Sequence, residues 1–254
     1  MILVILLLGL CFGSFLNVLL YRLPRGLSIL GRSYCPRCKK PISWSDNIPL
    51  LSFILLKGKC RKCKKKISLL YPITEFSTAI IFGITYLALK DLTFGSYYSY
   101  LIYTYLMLVV LIPIFVIDLK RQIIPDELVF SGLFLTFFYL LLFSEVSLFT
   151  HLFSALTVAL FLFSLHIVTG GKGMGLGDVK LGLLAGLVLG FPHSVTFLYL
   201  AFISGALVGL ILLVLGLRRI GQKIAFGPFL ALALWVIMIW GGRIWVNLRE
   251  LFLW

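Results

Sequence analysis

Asp118 and Asp178 are the two residues of this chain whose type and placement could do chemistry. Asp178 closes the run Gly-Met-Gly-Leu-Gly-Asp at 173–178, between two apolar stretches, and Asp118 ends the apolar run 106–117. A carboxylate at the edge of a membrane-spanning helix is expensive, so its default reading is functional. Acids are also scarce, nine against 23 Lys and Arg. Two carboxylates held close cannot both ionise readily, so they share a proton. One member can then take a proton from water while the other hydrogen-bonds a carbonyl oxygen, which is the chemistry of amide hydrolysis. Gly175 and Gly177 stand just ahead of Asp178, where they would let an extended peptide backbone approach the acid. Lys180 and Lys120 stand near the two acids in sequence. They either support the pair or tie it up in ordinary salt bridges, which would pull the carboxyls down. Asp126, directly after Pro125, is expected as a helix N-cap. Asp46 and Asp91 are expected as solvated or turn residues. A carboxylate at a helix C-terminus opposes the dipole, so Asp118 needs another reason to be there.

The elements that must hold these acids are membrane helices. With 61% hydrophobic and 13% charged residues and a mean hydropathy of +1.10, the chain is not a soluble globular domain. Its formal charge of +14 would suggest nucleic acid in a soluble protein. Here the charge is concentrated beside apolar segments, so anionic lipid and the positive-inside bias account for it and no nucleic-acid partner is expected. Apolar runs fall at 1–21, 73–89, 98–117, 128–144, 148–168, 179–191, 195–217 and 227–246. They predict an all-α polytopic fold of about eight transmembrane helices. The first run has no basic residue ahead of it and no cleavage pattern after it, so it reads as a retained span rather than a signal peptide.

Placing 22–72 in the cytosol puts twenty of the 23 cations inside, among them Lys172, Arg218, Arg219 and Lys223. The N-terminus is then outside, and both Asp118 and Asp178 face the cytosol. The run from Asp178 to His193 covers only about 22 Å as a helix. Against a hydrocarbon core of about 30 Å, Asp178 is expected below the inner interface.

Between the first and second spans lies a basic module, 22–72. Its pairs Cys35-Pro-Arg-Cys38 and Cys60-Arg-Lys-Cys63 are separated by 21 residues. Four thiolates so spaced can close a tetrahedral zinc site, and reduced cytosolic thiols favour that over two disulfides. No His, Asp or Glu accompanies them as an open catalytic position, so the zinc is expected to be structural. The expected division is a first span at 1–21, a zinc module at 22–72 and a seven-helix membrane body at 73–254.

Together these motifs resemble the bacterial prepilin peptidases. The resemblance rests on Gly13-Ser-Phe-Leu-Asn-Val18 with Arg22-Leu-Pro24, the two cysteine pairs, Asn47-Ile-Pro-Leu-Leu51 and Tyr71-Pro-Ile-Thr-Glu75. It continues through Asp118-Leu with Ile124-Pro-Asp126, Gly175-Leu-Gly-Asp-Val-Lys-Leu181 and Phe226-Gly-Pro-Phe-Leu-Ala231. Asp46 stands where the family often has Glu. The resemblance implies an inner-membrane aspartyl endopeptidase of the GxGD type, with Asp118 and Asp178 as the catalytic pair. Gly175, Gly177 and Lys180 would support it. The implied substrates are type IV prepilins or secretion pseudopilins, whose short basic leader is cut after Gly. Members with four cysteines often also methylate the new N-terminus with S-adenosylmethionine, and Glu75 is the implied contributor to a methyl-donor site. From the residues alone, a transporter or proton-coupled carrier with a zinc-bound regulatory module is the competing class, because membrane carboxylates also serve proton relays.

Overall fold

The computed structural model describes residues 1–90, 97–143, 147–171, 173–217, 222 and 224–252. Lys172, Arg218, Arg219 and Lys223, placed by charge counting above, and Asp91, expected as a solvated or turn residue, lie outside the described residues. The described chain is helical: α1 (Ile2–Arg22), α2 (Leu51–Leu55), α3 (Leu70–Leu89), α4 (Tyr97–Arg121), α5 (Asp126–Phe143), α6 (Leu148–Val168), α7 (Leu176–Leu189), α8 (His193–Val214) and α9 (Gly227–Phe252). Seven of these are long and apolar enough to cross a membrane, and the chain is a multi-pass membrane protein. The eighth expected span is α7, whose 14 residues reach only about 21 Å. It falls short of a crossing on its own. The chain packs as two compact units, Met1–Leu92 and Thr93–Trp254, so α3 belongs with α1.

In the first unit, α1 and α3 are antiparallel and lie unusually close. A Cβ added at Gly9 would stand 2.6 Å from Ala79 Cα, and one at Gly13 would stand 2.6 Å from Glu75 Cα. Glycine on α1 is what lets the two backbones meet, since lipid tails give apolar helices little reason to associate and close packing must do it instead. Farther along, Gly83 meets Leu6, which fixes the antiparallel register. Residues 23–69 therefore emerge at one end of the helix pair.

In the second unit the short α7 is the buried centre, packed on α5, α6, α8 and α9. Leu181, Leu184 and Ala185 are fully buried, as are Leu230 and Leu234 of α9. On the α6 side a Cβ at Gly186 would lie 2.6 Å from Ala155 Cα. A helix surrounded by protein has its polar ends covered by neighbours, so it need not span the bilayer. The outer faces of α5, α6 and α8 expose Phe130, Phe134, Phe149, Phe153 and Leu210, as expected of surfaces that meet hydrocarbon.

Candidate active site and metal centre

In the second unit, α4 delivers Asp118 in its last turn. The helix stops there because Gln122 takes a left-handed φ of 54° while its N–H still reaches Asp118 O at 2.8 Å. Ile123, Ile124 and Pro125 turn the chain into α5. Asp118 is 5% exposed, and its Oδ2 has no hydrogen-bond partner among the described residues. The carboxylate lies against the first residue of α9, and the Gly227 N–H faces it. This supplies the reason Asp118 lacked in the sequence. It ends one helix but points at the N-terminus of another, where unpaired N–H groups and the dipole favour negative charge.

Asp178 is the third residue of α7, and its Oδ2 accepts the Gly175 N–H at 3.0 Å. It too sits at a helix N-terminus, and it is 9% exposed. The two acids are near enough that the charge of Asp118 acts on Asp178. Ile124 lies between them: a Cβ at Gly177 would be 3.1 Å from Ile124 Cβ, and one at Gly227 would be 3.0 Å from Ile124 Cδ1. The structure thus brings Asp118, Asp178, Gly175 and Gly177 to one end of the unit.

Lys180 is not with them. Its Nζ donates to Asp126 Oδ1 and Oδ2 at 2.8 and 2.9 Å, an ion pair with both side chains about half exposed. Two residues apart on a helix, Asp178 and Lys180 point off different faces, which is why the expected Asp178 contact does not form. No ion pair joins Lys120 to Asp118 among the described residues. Asp126 is the first residue of α5 rather than the cap ahead of it. The Pro125 carbonyl accepts from Leu128 and Val129 there, and the Asp126 side chain is committed to Lys180.

The residue that sequence reasoning left without a role is Gly227. A Cβ at this position would stand 2.6 Å from Asp118 Oδ2, so any side chain displaces the carboxylate. The signal was present in the quoted Phe226-Gly-Pro run, which opens a helix. Gly227→Ala is expected to lower hydrolysis by about 100-fold, the scale of an ångström's misplacement of a reacting group, with helix content unchanged. Gly209→Ala, where the nearest atom to the new Cβ is 3.7 Å away, should be neutral in the same assay.

In the first unit the four cysteines converge. The Sγ atoms of Cys35, Cys38, Cys60 and Cys63 all lie within 4.8 Å of one another, and Cys35 Sγ is 3.9 Å from Cys63 Sγ. Tetrahedral zinc–sulfur bonds of about 2.3 Å require sulfurs about 3.8 Å apart, whereas a disulfide requires about 2.05 Å. The donor set fits a thiolate-bound divalent metal.

Two matching turns build it. Cys35 N–H bonds Lys40 O while Lys39 N–H bonds Cys35 O, and Cys60 repeats this with Lys65 and Lys64. Lys39 and Lys64 each take a left-handed φ, 58° and 57°. The N–H of Cys63, helped by that of Lys62, draws the Cys60 thiol down to about 7. Cys63 is pushed up to about 11 by desolvation and its sulfur neighbours, despite the Lys65 N–H beside it. Crowded thiols split their proton affinities in this way until a cation joins them. Cys11, on an exposed face of α1, is outside the cluster.

Two further groups order this unit. Arg22, 6% exposed, donates to the carbonyls of Ser28, Ile29, Leu30 and Arg32 at 2.8–3.1 Å, and so folds the chain leaving α1. Glu75 is buried, and its Oε2 accepts the Leu50 N–H at 2.8 Å. Asp46, expected as a solvated or turn residue, lies in the 3-10 turn Trp44–Asn47 and forms a forked pair with Arg61 at 2.7–3.0 Å, and Arg61 holds its carboxyl below the usual value.

The bacterial peptidase A24 N-terminal domain family matches residues 7–89, and the type IV leader peptidase family matches residues 105–210. The chain is 34% identical to a prepilin leader peptidase/N-methyltransferase of Aeromonas salmonicida over 93% of its own length and 89% of the relative's. For the protein of that name from Pseudomonas aeruginosa the figures are 35%, 94% and 90%, and for that from Legionella pneumophila 31%, 96% and 93%. No solved structure matches the chain. With both family domains in order and this likeness running nearly end to end, the chain belongs to the type IV leader peptidase family.

Proposed function

We propose that this protein is a membrane aspartyl endopeptidase that removes the leader from type IV prepilins or pseudopilins and then N-methylates the exposed N-terminus. What supports this reading is that two scarce, buried acids on separate helices flank Ile124 at one end of the second unit, near enough for the charge of one to act on the other. The relatives' names support cleavage with methylation, and nothing comparable supports a carrier. The family likeness supports an inner-membrane location. The charge count supports a cytosolic site with the N-terminus outside. We divide the work between a metal module at 22–72, carried on the α1–α3 pair, and the membrane helices of the second unit, in which both acids lie.

In the reaction one carboxylate of the Asp118/Asp178 pair takes a proton from water, and the resulting hydroxide adds to the scissile carbonyl carbon. The protonated partner donates to the carbonyl oxygen as charge builds there. Collapse breaks the C–N bond, and the proton taken from water goes to the departing amine. Gly175 leaves room for the substrate backbone beside Asp178, while Gly177 lets α7 close on Ile124. Lys180 acts at one remove, by holding Asp126 and hence the start of α5 to α7.

Zinc is the metal we assign to the four cysteines, in a structural role. S-adenosylmethionine would supply the methyl group. Glu75, the residue the resemblance implied, accepts the Leu50 N–H through its Oε2, and we assign it to shaping the Asn47–Leu51 loop. Purified protein given a synthetic prepilin should release the leader and pass a labelled methyl group to the cut product. Cleavage without methyl transfer would remove the second activity, and absence of both would remove the proposal.

A further inference from the structure

We propose that α2 is an interfacial anchor that lies in an anionic lipid leaflet beside the membrane end of the α1–α3 pair. The first observation is where α2 starts. Leu50, the residue before it, gives its N–H to Glu75 Oε2 at 2.8 Å. Glu75 lies about 7.5 Å along α3 from Leu70, at 1.5 Å per residue, inside a candidate membrane span. Its side chain tilts back toward the helix N-terminus, so α2 begins level with the first two turns of that span. A segment pinned there is beside the bilayer and not out in solution.

The second observation is the face that α2 presents. Leu51, Ile54 and Leu55 follow the i, i+3, i+4 spacing of one helical face, and they are 50%, 69% and 70% exposed. The remaining aromatic, Phe53, turns inward, since a Cβ at Gly58 would meet its ring at 3.1 Å. Directly after the apolar stripe come the exposed cations Lys57 and Lys59. An apolar face flanked by Lys, at a membrane edge, is the pattern of a helix lying in the headgroup region.

Charge selects the occupant. Residues 22–72 hold thirteen cations and a single acid, Asp46, while the remainder of the chain holds ten cations and eight acids. A second copy of the module would bring the same charge and be repelled. An anionic leaflet complements it.

The test is hydrogen–deuterium exchange of residues 50–58 in the full-length protein, in nanodiscs of phosphatidylglycerol or of phosphatidylcholine. Exchange should be at least about tenfold slower in phosphatidylglycerol. Lys57→Gln and Lys59→Gln should each speed it about fivefold there, the effect of one cation at an anionic surface, with little change in phosphatidylcholine. Ile54→Ser with Leu55→Ser should abolish the difference between lipids while metal content is kept. If that variant loses metal, the lysine variants carry the test, because their side chains are exposed and outside the cluster. Equal protection in both lipids would mean that the stripe is covered by the protein itself. Protection that appears only with two copies per disc would mean self-association. Either result overturns the proposal.

Discussion

Asp118→Asn and Asp178→Asn should each lower prepilin cleavage by at least about 1,000-fold, within the range of a lost general acid or base, while leaving the helices folded. The structure explains why both are needed and why neither loss should unfold the protein. Asn keeps the size of each side chain and can keep some hydrogen bonding, so Gly175 and Gly227 remain satisfied or exposed to the same neighbours. What is lost is the titrating oxygen. An amide cannot take a proton from water at the site, and two carboxyls are required to hold one proton between them. If either variant cut at a normal rate, the residue changed would be a helix-end acid and nothing more. Because like charges held close disfavour ionisation, removing one acid should leave the other easier to ionise, and thermal stability should hold or rise slightly.

The second large effect concerns the metal. Stripping it with a chelator, or replacing Cys35 by Ser, should unfold residues 30–66, read as rapid proteolysis of that segment. A stretch this short buries little core: Cys35 is its one buried apolar residue, and each cysteine turn is closed by two backbone bonds through its first cysteine. Structural zinc binding contributes on the order of 10 kcal/mol at neutral pH, comparable to the whole stability of a small domain. Elemental analysis should find about one zinc per chain. Cys11→Ser should change neither metal content nor proteolysis. A metal-free module that resists protease as the native one does would count against the assignment.

Much of this architecture was legible because membrane helices are written in long apolar runs. All eight expected runs became helices, with ends shifted by a few residues, as at 227–246, where α9 continues to Phe252. The cysteine pairs were legible for a different reason: thiols at fixed short spacing have few uses inside a cell. Three features were not. The five residues of α2 are too few to show a period against the surrounding Leu and Ile. The partner of Lys180 is Asp126, 54 positions away, and nearness in sequence pointed to Asp178 instead. Asp118 looked misplaced at a helix C-terminus because the N-terminus it serves is that of α9, more than a hundred residues later. Each of these depends on which distant elements the fold brings together, and one-dimensional spacing does not carry that information.

A double-mutant cycle tests the central claim most directly: cleavage rates of the native protein, Asp118→Asn, Asp178→Asn and the combined variant, in one assay. Acids that work as a unit fail together, so the combined variant should be as slow as the slower single variant within about fivefold. Losses that multiply, or a single variant that retains the native rate, would contradict the pair.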